Sequence, residues 1–331
     1  MTPAVAGDRT FVGSCGGSFF ALDSATGRPI WSYDTAPDGR PPGQFHGDFL
    51  VTEAGVVAGS DSHSVGHLYA FDRGTGEVRW KHRFPKGVAA DVRRRGETAL
   101  FASEVGDVAA VDLATGRVLW QVQEPGDGAR GGRPLDLVLA GDRLVVAWRS
   151  GIVDAYDPAD GRRLWRRDLG AVLNASPVAV EDDLLVGTLD GRLQRLRGSD
   201  GEILESFLLG GALYGDLVAA PGCLFALSAR GGTAPETGLA GPHAIFCLDP
   251  ELQGVRWRHD LPEVFGTFHP LVREGAVVVG VEGKLLALDV GSGALLWERP
   301  IEGLPRGLAA TGDRLYVGTS AGPVFALPWA R

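Results

Sequence analysis

Several large protein classes are excluded by what this sequence has little of. It has no apolar run near the roughly 18 residues that a membrane-spanning helix needs. Its three cysteines, Cys15, Cys223 and Cys247, are too few and too scattered for a disulfide framework or a zinc site, and they read as free thiols in or beside strands. Basic charge is in deficit, with 32 Lys and Arg against 41 Asp and Glu and a net charge of -9. A nucleic-acid partner demands a surplus of Lys and Arg on the contact face, so nucleic acid is excluded. The run Arg93-Arg94-Arg95 reads as a solvated turn rather than a phosphate site. The opening MTPAVAGDRTFVGS lacks a basic segment followed by an apolar stretch of about 7 to 15 residues, so no secretory signal is visible. These absences predict a soluble, cytoplasmic, monomeric protein with no membrane partner.

What is abundant is glycine, 49 residues, and proline, 20, spread evenly along the chain. That distribution fits an all-β protein with many tight turns. Five-residue segments ending in Asp or its substitute recur as FFALD (19–23), LYAFD (68–72), VAAVD (108–112), VDAYD (153–157), LQRLR (193–197), IFCLD (245–249), LLALD (285–289) and VFALP (324–328). Their last residues lie 49, 40, 45, 40, 52, 40 and 39 positions apart, which is the length of a four-stranded propeller blade with insertions in three intervals. A single core usually stops growing near 250 to 300 residues, but a repeat protein of 331 residues escapes that limit. The predicted fold is an all-β, eight-bladed β-propeller of four-stranded antiparallel blades, with residues 1–331 as one domain. After VFALP only Trp329-Ala330-Arg331 follow, so either the last blade is three-stranded or residues outside this sequence complete it.

Each copy carries a preceding strand such as FVGS (11–14), VAGS (57–60) or YVGT (316–319), and most are followed by a Thr-Gly turn and a Trp, as in ATGRPIW (25–31), GTGEVRW (74–80), ATGRVLW (114–120) and GSGALLW (291–297). The strands of a blade are lettered A to D outward from the axis. The fifth copy, SPVAV-x3-LLVGTLDGRLQRL, has Glu205 where Trp is expected. The YVGT, ALD and TG-x3-W elements resemble the repeats of the pyrroloquinoline-quinone (PQQ)-like family, over nearly the whole chain. The resemblance implies that Trp31, Trp80, Trp120, Trp165, Trp257 and Trp297 pack against neighbouring blades. It leaves function open, because the family includes quinoprotein dehydrogenases, an outer-membrane assembly lipoprotein and many domains with no known reaction.

In a four-stranded meander the D–A and B–C loops share one face. The insertions fall in D–A loops (35–45 and 124–133) and B–C loops (60–67 and 228–243), which makes that face, around the mouth of the central channel, the candidate working surface. Aligning the entrances of the inner strands on Ser176 brings His46, Ala89, Pro134, Tyr214 and His269 to equivalent places, with Asp48, Asp91, Asp136 and Asp216 two residues later and on the same side of each strand. His46, Asp48, Tyr214, Asp216 and His269 are the candidate acid–base residues. Gln44, Asp91, Arg133, Asp136, Asn174 and Arg306 are the candidate ligand contacts around them. The plain alternative is that the Asp residues bond turn amides or line a water-filled channel, and that each His is a satisfied polar group at a strand end. His63, His67 and His243 fall on the same face, but no helix fixes their spacing and no metal site is predicted.

Two functions follow. The first is a binding or scaffold module that holds a protein partner or a polar small molecule on the loop-rich face. The second is a cofactor-independent acid–base enzyme, a lyase, cyclase or hydrolase, with its site at the channel mouth. The resemblance also raises PQQ as a cofactor, but dehydrogenases of the family use adjacent cysteines and an acidic and amide calcium site, and no Cys-Cys pair occurs here; no cofactor is expected. The absence of a lipoprotein signal and of an N-terminal Cys speaks against the assembly-lipoprotein branch.

Overall fold

The computed structural model describes residues 2–88, 91–123, 133–229, 243–262 and 269–329, without the side chains of 63 and 64. Ala89 and most of the loops 124–133 and 228–243 therefore lie outside the described residues. The described strands form eight successive meanders, called blades here, at 4–34, 50–87, 93–123, 134–168, 173–208, 212–260, 271–300 and 305–328. Seven have four antiparallel strands and the last has three. The inner strands of blades 5 and 6 also pair in parallel, Ala175 with Gly215 and Ser176 with Asp216, which fuses those two blades into one sheet.

The core lies between blades rather than inside any one. A single twisted sheet cannot bury both of its faces, so each blade packs on the next. Leu68, Ala70 and Phe84 of blade 2 meet Phe101 and Val111 of blade 3, and Val145 and Val153 of blade 4 meet Leu184 and Val186 of blade 5. Comparable apolar clusters join each consecutive pair from blade 1 to blade 8. The Tyr316 hydroxyl of blade 8 donates to Ser24 O of blade 1 (3.3 Å) and brings the chain back on itself.

The Thr-Gly-x3-Trp pattern has a direct mechanical meaning. The indole N–H of a strand-D Trp donates to a carbonyl of the following blade: Trp31 to Arg73 (3.1 Å), Trp80 to Leu113 (3.1 Å), Trp120 to Pro158 (3.0 Å), Trp165 to Gly198 (2.8 Å) and Trp257 to Val290 (2.8 Å). The ring then lies flat on the turn glycine of that blade. A Cβ on Gly161, where φ is +74°, would come within 2.4 Å of the Trp120 ring. Glycine is required there both for the positive φ and for the close approach. Blade 5 lacks the Trp, and the turn of blade 6 changes accordingly. Leu252 adopts a φ of 59° and buries its side chain among Leu185, Leu193 and Leu209, in the interface that an indole occupies elsewhere.

Three local expectations are corrected. Cys223 and Cys247 are not free thiols but form a disulfide, with Cα atoms 5.5 Å apart. Strands B and C of blade 6 bring them together, since Phe225 pairs with Cys247 and Leu224 with Leu248; the long B–C insertion hides this proximity in the sequence. Cys15 remains free and exposed. The segment 60–67 is not a loop, because strand C of blade 2 spans Asp61–Asp72 and strand D continues to Gly87 as its partner. Arg93–Arg95 is not a turn but the inner strand of blade 3. Alternation along it exposes Arg94, whereas Arg93 reaches Asp91 and Asp136.

Candidate functional site

Gln44 to Asp48 enter the inner strand of blade 2 between two anchors. Phe45 is fully buried and Phe49 nearly so, in an aromatic cluster with Phe19. Burying these rings turns His46 and Asp48 the other way. The inserted loop before them is tied down by Asp38, whose carboxylate accepts from the Tyr33 hydroxyl (2.5 Å) and the Tyr69 hydroxyl (2.8 Å) and pairs with Lys81 (2.5 Å).

A cavity of about 260 Å³ opens at the channel mouth. Its wall contains eight of the eleven predicted residues: His46, Asp91, Arg133, Asp136, Asn174, Tyr214, Asp216 and His269. Asp48 lies close by, its backbone N–H donating to Asp91 Oδ1 (2.7 Å). Gln44 and Arg306 are not in the wall. Gln44 is held by a backbone bridge to Asp61, its N–H to Asp61 O at 2.7 Å, and Arg306 sits in strand A of blade 8, Pro305–Thr311, a blade that contributes nothing to the wall.

Two charged groupings organise the cavity. In the first, Arg93 binds Asp91 (2.9 Å) and Asp136 (3.4 Å) and donates from Nε to Leu137 O (2.7 Å). Asp136 is buried and also accepts from the Leu137 N–H (2.7 Å). Burial and the Asp91 charge push the Asp136 carboxyl well above its usual range, against the pull of Arg93. Burial opposes the Arg93 charge, but Asp136 and Asp91 hold it above arginine's ordinary value. In the second grouping, His269 Nδ1 bonds Asp216 Oδ2. Burial alone would push the imidazole down, yet Asp216, with Asp48 and Asp91 nearby, holds it up at about 9. Asp48 is pushed up to about 6 by burial and by Asp91 and Asp216.

A pH dependence follows from His269. Its folded-state value lies above that of the unfolded chain, so its contribution is complete below about pH 6.5 and is lost as pH rises through about 9. With one third of the side chain exposed to screening solvent, we expect a loss of about 1 to 2 kcal/mol of stability between pH 6.5 and 9. Urea titrations across that range should show this loss in the wild type and a flatter profile in His269→Gln; parallel profiles would disprove the assignment.

The alignment of strand entrances did not find the residues supplied by B–C turns and by the start of strand C in blade 2. Arg149, in the turn of blade 4, lines the cavity and donates to Asn174 Oδ1 (3.3 Å). Glu104, in the turn of blade 3, pairs with Arg133 (2.8 Å), and Asp61 bonds His46 Nδ1 (2.7 Å). Their common position at the end of strand B was the available signal. Among the described residues no group of three or more His, Cys, Asp or Glu is placed to hold a metal ion. The residues present do not fit PQQ as the dehydrogenases hold it, because two of the three cysteines are joined to each other in blade 6 and the third stands alone in blade 1.

Comparison with known proteins agrees with this architecture. A family model described as outer membrane protein assembly factor BamB matches residues 1–123, 47–167, 104–208 and 237–330. The outer membrane protein assembly factor BamB of Yersinia pestis is 26% identical over 254 residues, 70% of this chain and 61% of the relative. That of Alkalilimnicola ehrlichii is 34% identical over 207 residues, 59% of this chain and 50% of the relative. The chain thus spans half to three fifths of the length of these curated relatives. The crystal structure of BamB from Moraxella catarrhalis superposes with a TM-score of 0.76 at 18% identity, covering 98% of this chain and 93% of that one, which shows a shared propeller fold. These relatives overturn the expectation of a cytoplasmic protein without a membrane connection, since they are outer membrane protein assembly factors. The disulfide agrees with the correction, because such bonds persist in oxidising compartments. The chain belongs to the PQQ-like family whose model is described as outer membrane protein assembly factor BamB.

Proposed function

We propose that this chain is a protein-binding scaffold of the cell envelope, which holds a component of outer-membrane protein assembly against its D–A and B–C loop face. The observation that carries the reading is the form of the channel mouth. A cavity of about 260 Å³ falls below the roughly 300 to 1,000 Å³ of pockets that enclose small molecules. Its wall sets cations from Arg133, Arg149 and His269 among the carboxylates of Asp91, Asp136 and Asp216. Such a mouth suits one polar side chain or a short polar segment of a partner, bound through charged hydrogen bonds and water. The acid–base alternative is weaker. An imidazole held at about 9 is protonated at neutral pH and cannot accept a proton there, and Asp91 and Asp136 are already engaged by Arg93.

Site-specific photo-crosslinking in envelope preparations tests the reading. A photo-reactive residue at Arg133 or Asn174 should capture a component of the assembly machinery, whereas one at Thr115, in a C–D turn on the opposite face, should not. Equal capture from both faces, or capture from Thr115 alone, would place the partner elsewhere.

A further inference from the structure

We propose that Cys15, His46 and Asp61 form a nucleophilic thiol site that exchanges with disulfides at the edge of the channel mouth. The proposal does not depend on the scaffold reading. Cys15 is exposed in the B–C turn of blade 1, and its Sγ lies 3.7 Å from His46 Nε2. The other ring nitrogen of His46, Nδ1, is 2.7 Å from Asp61 Oδ1. Nucleophile, base and orienting carboxylate thus stand in line, the arrangement that activates a thiol. The order is set by three elements that are remote in sequence: the turn of blade 1, the entrance of blade 2, and the start of strand C of blade 2, which the backbone bridge between Gln44 and Asp61 holds against that entrance. His46 is also part of the cavity wall, so a ligand seated in the mouth lies beside the imidazole.

The charged groups around His46 favour this role. Asp61 accepts its Nδ1–H, and Arg133, 3.9 Å from the other oxygen of Asp61, is itself paired with Glu104 (2.8 Å). Asp91, Asp216, His269 and Arg149 face it across the cavity. Asp61 fixes the tautomer that leaves Nε2 free to take the thiol proton, which makes Asp61 a positioning residue.

The step balances without an added oxidant. The Cys15 S–H gives its proton to His46 Nε2, and the thiolate attacks one sulfur of the incoming disulfide. A new S–S bond forms as the old one breaks, and the departing thiolate takes the proton back from His46. Cys15 is oxidised to a mixed disulfide while one sulfur of the ligand is reduced to a thiol. Both small disulfides and peptide disulfides offer this chemistry.

The folded chain presents one free thiol, since Cys223 and Cys247 are joined, so release of thiol from a probe reports on Cys15 alone. Second-order rates should be measured from pH 5.5 to 8.5 with cystine and with a synthetic peptide carrying one disulfide, for the wild type, His46→Gln, Asp61→Asn and Cys15→Ser. An ordinary exposed thiol is only about 0.3% ionised at pH 6. A positioned base that removes the thiol proton during attack raises the rate where the free thiol is almost wholly protonated. The wild type should therefore react about tenfold faster than His46→Gln at pH 6, the two should converge near pH 8.5, Asp61→Asn should fall between them, and Cys15→Ser should be silent. The probe that reacts faster identifies the source of the disulfide. Circular dichroism confirms that each variant is folded. Rates for wild type and both folded variants within twofold of each other at pH 6, with both probes, would overturn the proposal.

Discussion

Replacing Trp165 with alanine will destabilise the protein by about 3 to 5 kcal/mol, measured by urea unfolding. The indole is 8% exposed, packs with Val145, Val153 and Leu184 across the boundary of blades 4 and 5, and donates to Gly198 O (2.8 Å). Its removal leaves three deficits at once: lost apolar burial, an unpaired carbonyl and a void against Gly201. Gly201 stands at φ +70°, where a Cβ would meet the ring at 2.6 Å, so the turn has no side chain with which to fill the hole. Blade 6 shows what filling it takes, because there Leu252 packs into the interface with blade 5, whose strand D has no Trp. A loss below about 1 kcal/mol would mean that the indoles do not hold the blades together.

Arg93→Met will cost about 2 to 4 kcal/mol at pH 7, since removing one partner of a largely buried ion pair leaves uncompensated charge behind. Arg93 is the cation shared by Asp91 (2.9 Å) and Asp136 (3.4 Å), and without it those two carboxylates, with no other cation among the described residues paired directly to them, confront Asp48 and Asp216. The loss should shrink on acidification. Asp136 is already held well above its usual range and Asp48 at about 6, and a carboxyl whose folded value is raised binds its proton more tightly in the folded chain, so lowering the pH favours folding. Unfolding measured at pH 7 and pH 5 should show the variant recovering part of its deficit relative to the wild type. A deficit equal at both pH values would show that Arg93 acts through packing and not through charge.

The candidate site was legible in part, and the division has a physical basis. Strand residues i and i+2 share a side, so aligning the entrances of the inner strands placed His46, Asp91, Asp136, Tyr214, Asp216 and His269 around one mouth, as they stand. Arg93 was misjudged because a run of three arginines looks like a solvated surface, while strand alternation sends the first of them to the carboxylates and the second to water. Glu104, Arg149 and Cys15 escaped because they sit on B–C turns, and Asp61 because it opens strand C of blade 2; the reach of these positions toward the axis depends on the tilt and twist of each blade rather than on spacing along the chain.

The sequence by itself determined the all-β architecture, the repeat of about 40 residues and the sites where blades clasp one another, because each repeat must present the same apolar strands and the same Gly and Trp contacts to its neighbours. Only the tertiary structure decided which polar groups meet. Cys223 finds Cys247 through the register of one ladder, His269 finds Asp216 across two blades, and Cys15, His46 and Asp61 come into line from three separate segments. Apolar packing repeats with the sequence period and can be read from one dimension. A hydrogen bond or an ion pair tolerates errors of only a few tenths of an ångström in the separation of residues remote in the chain, and that separation is fixed only after the blades have closed together.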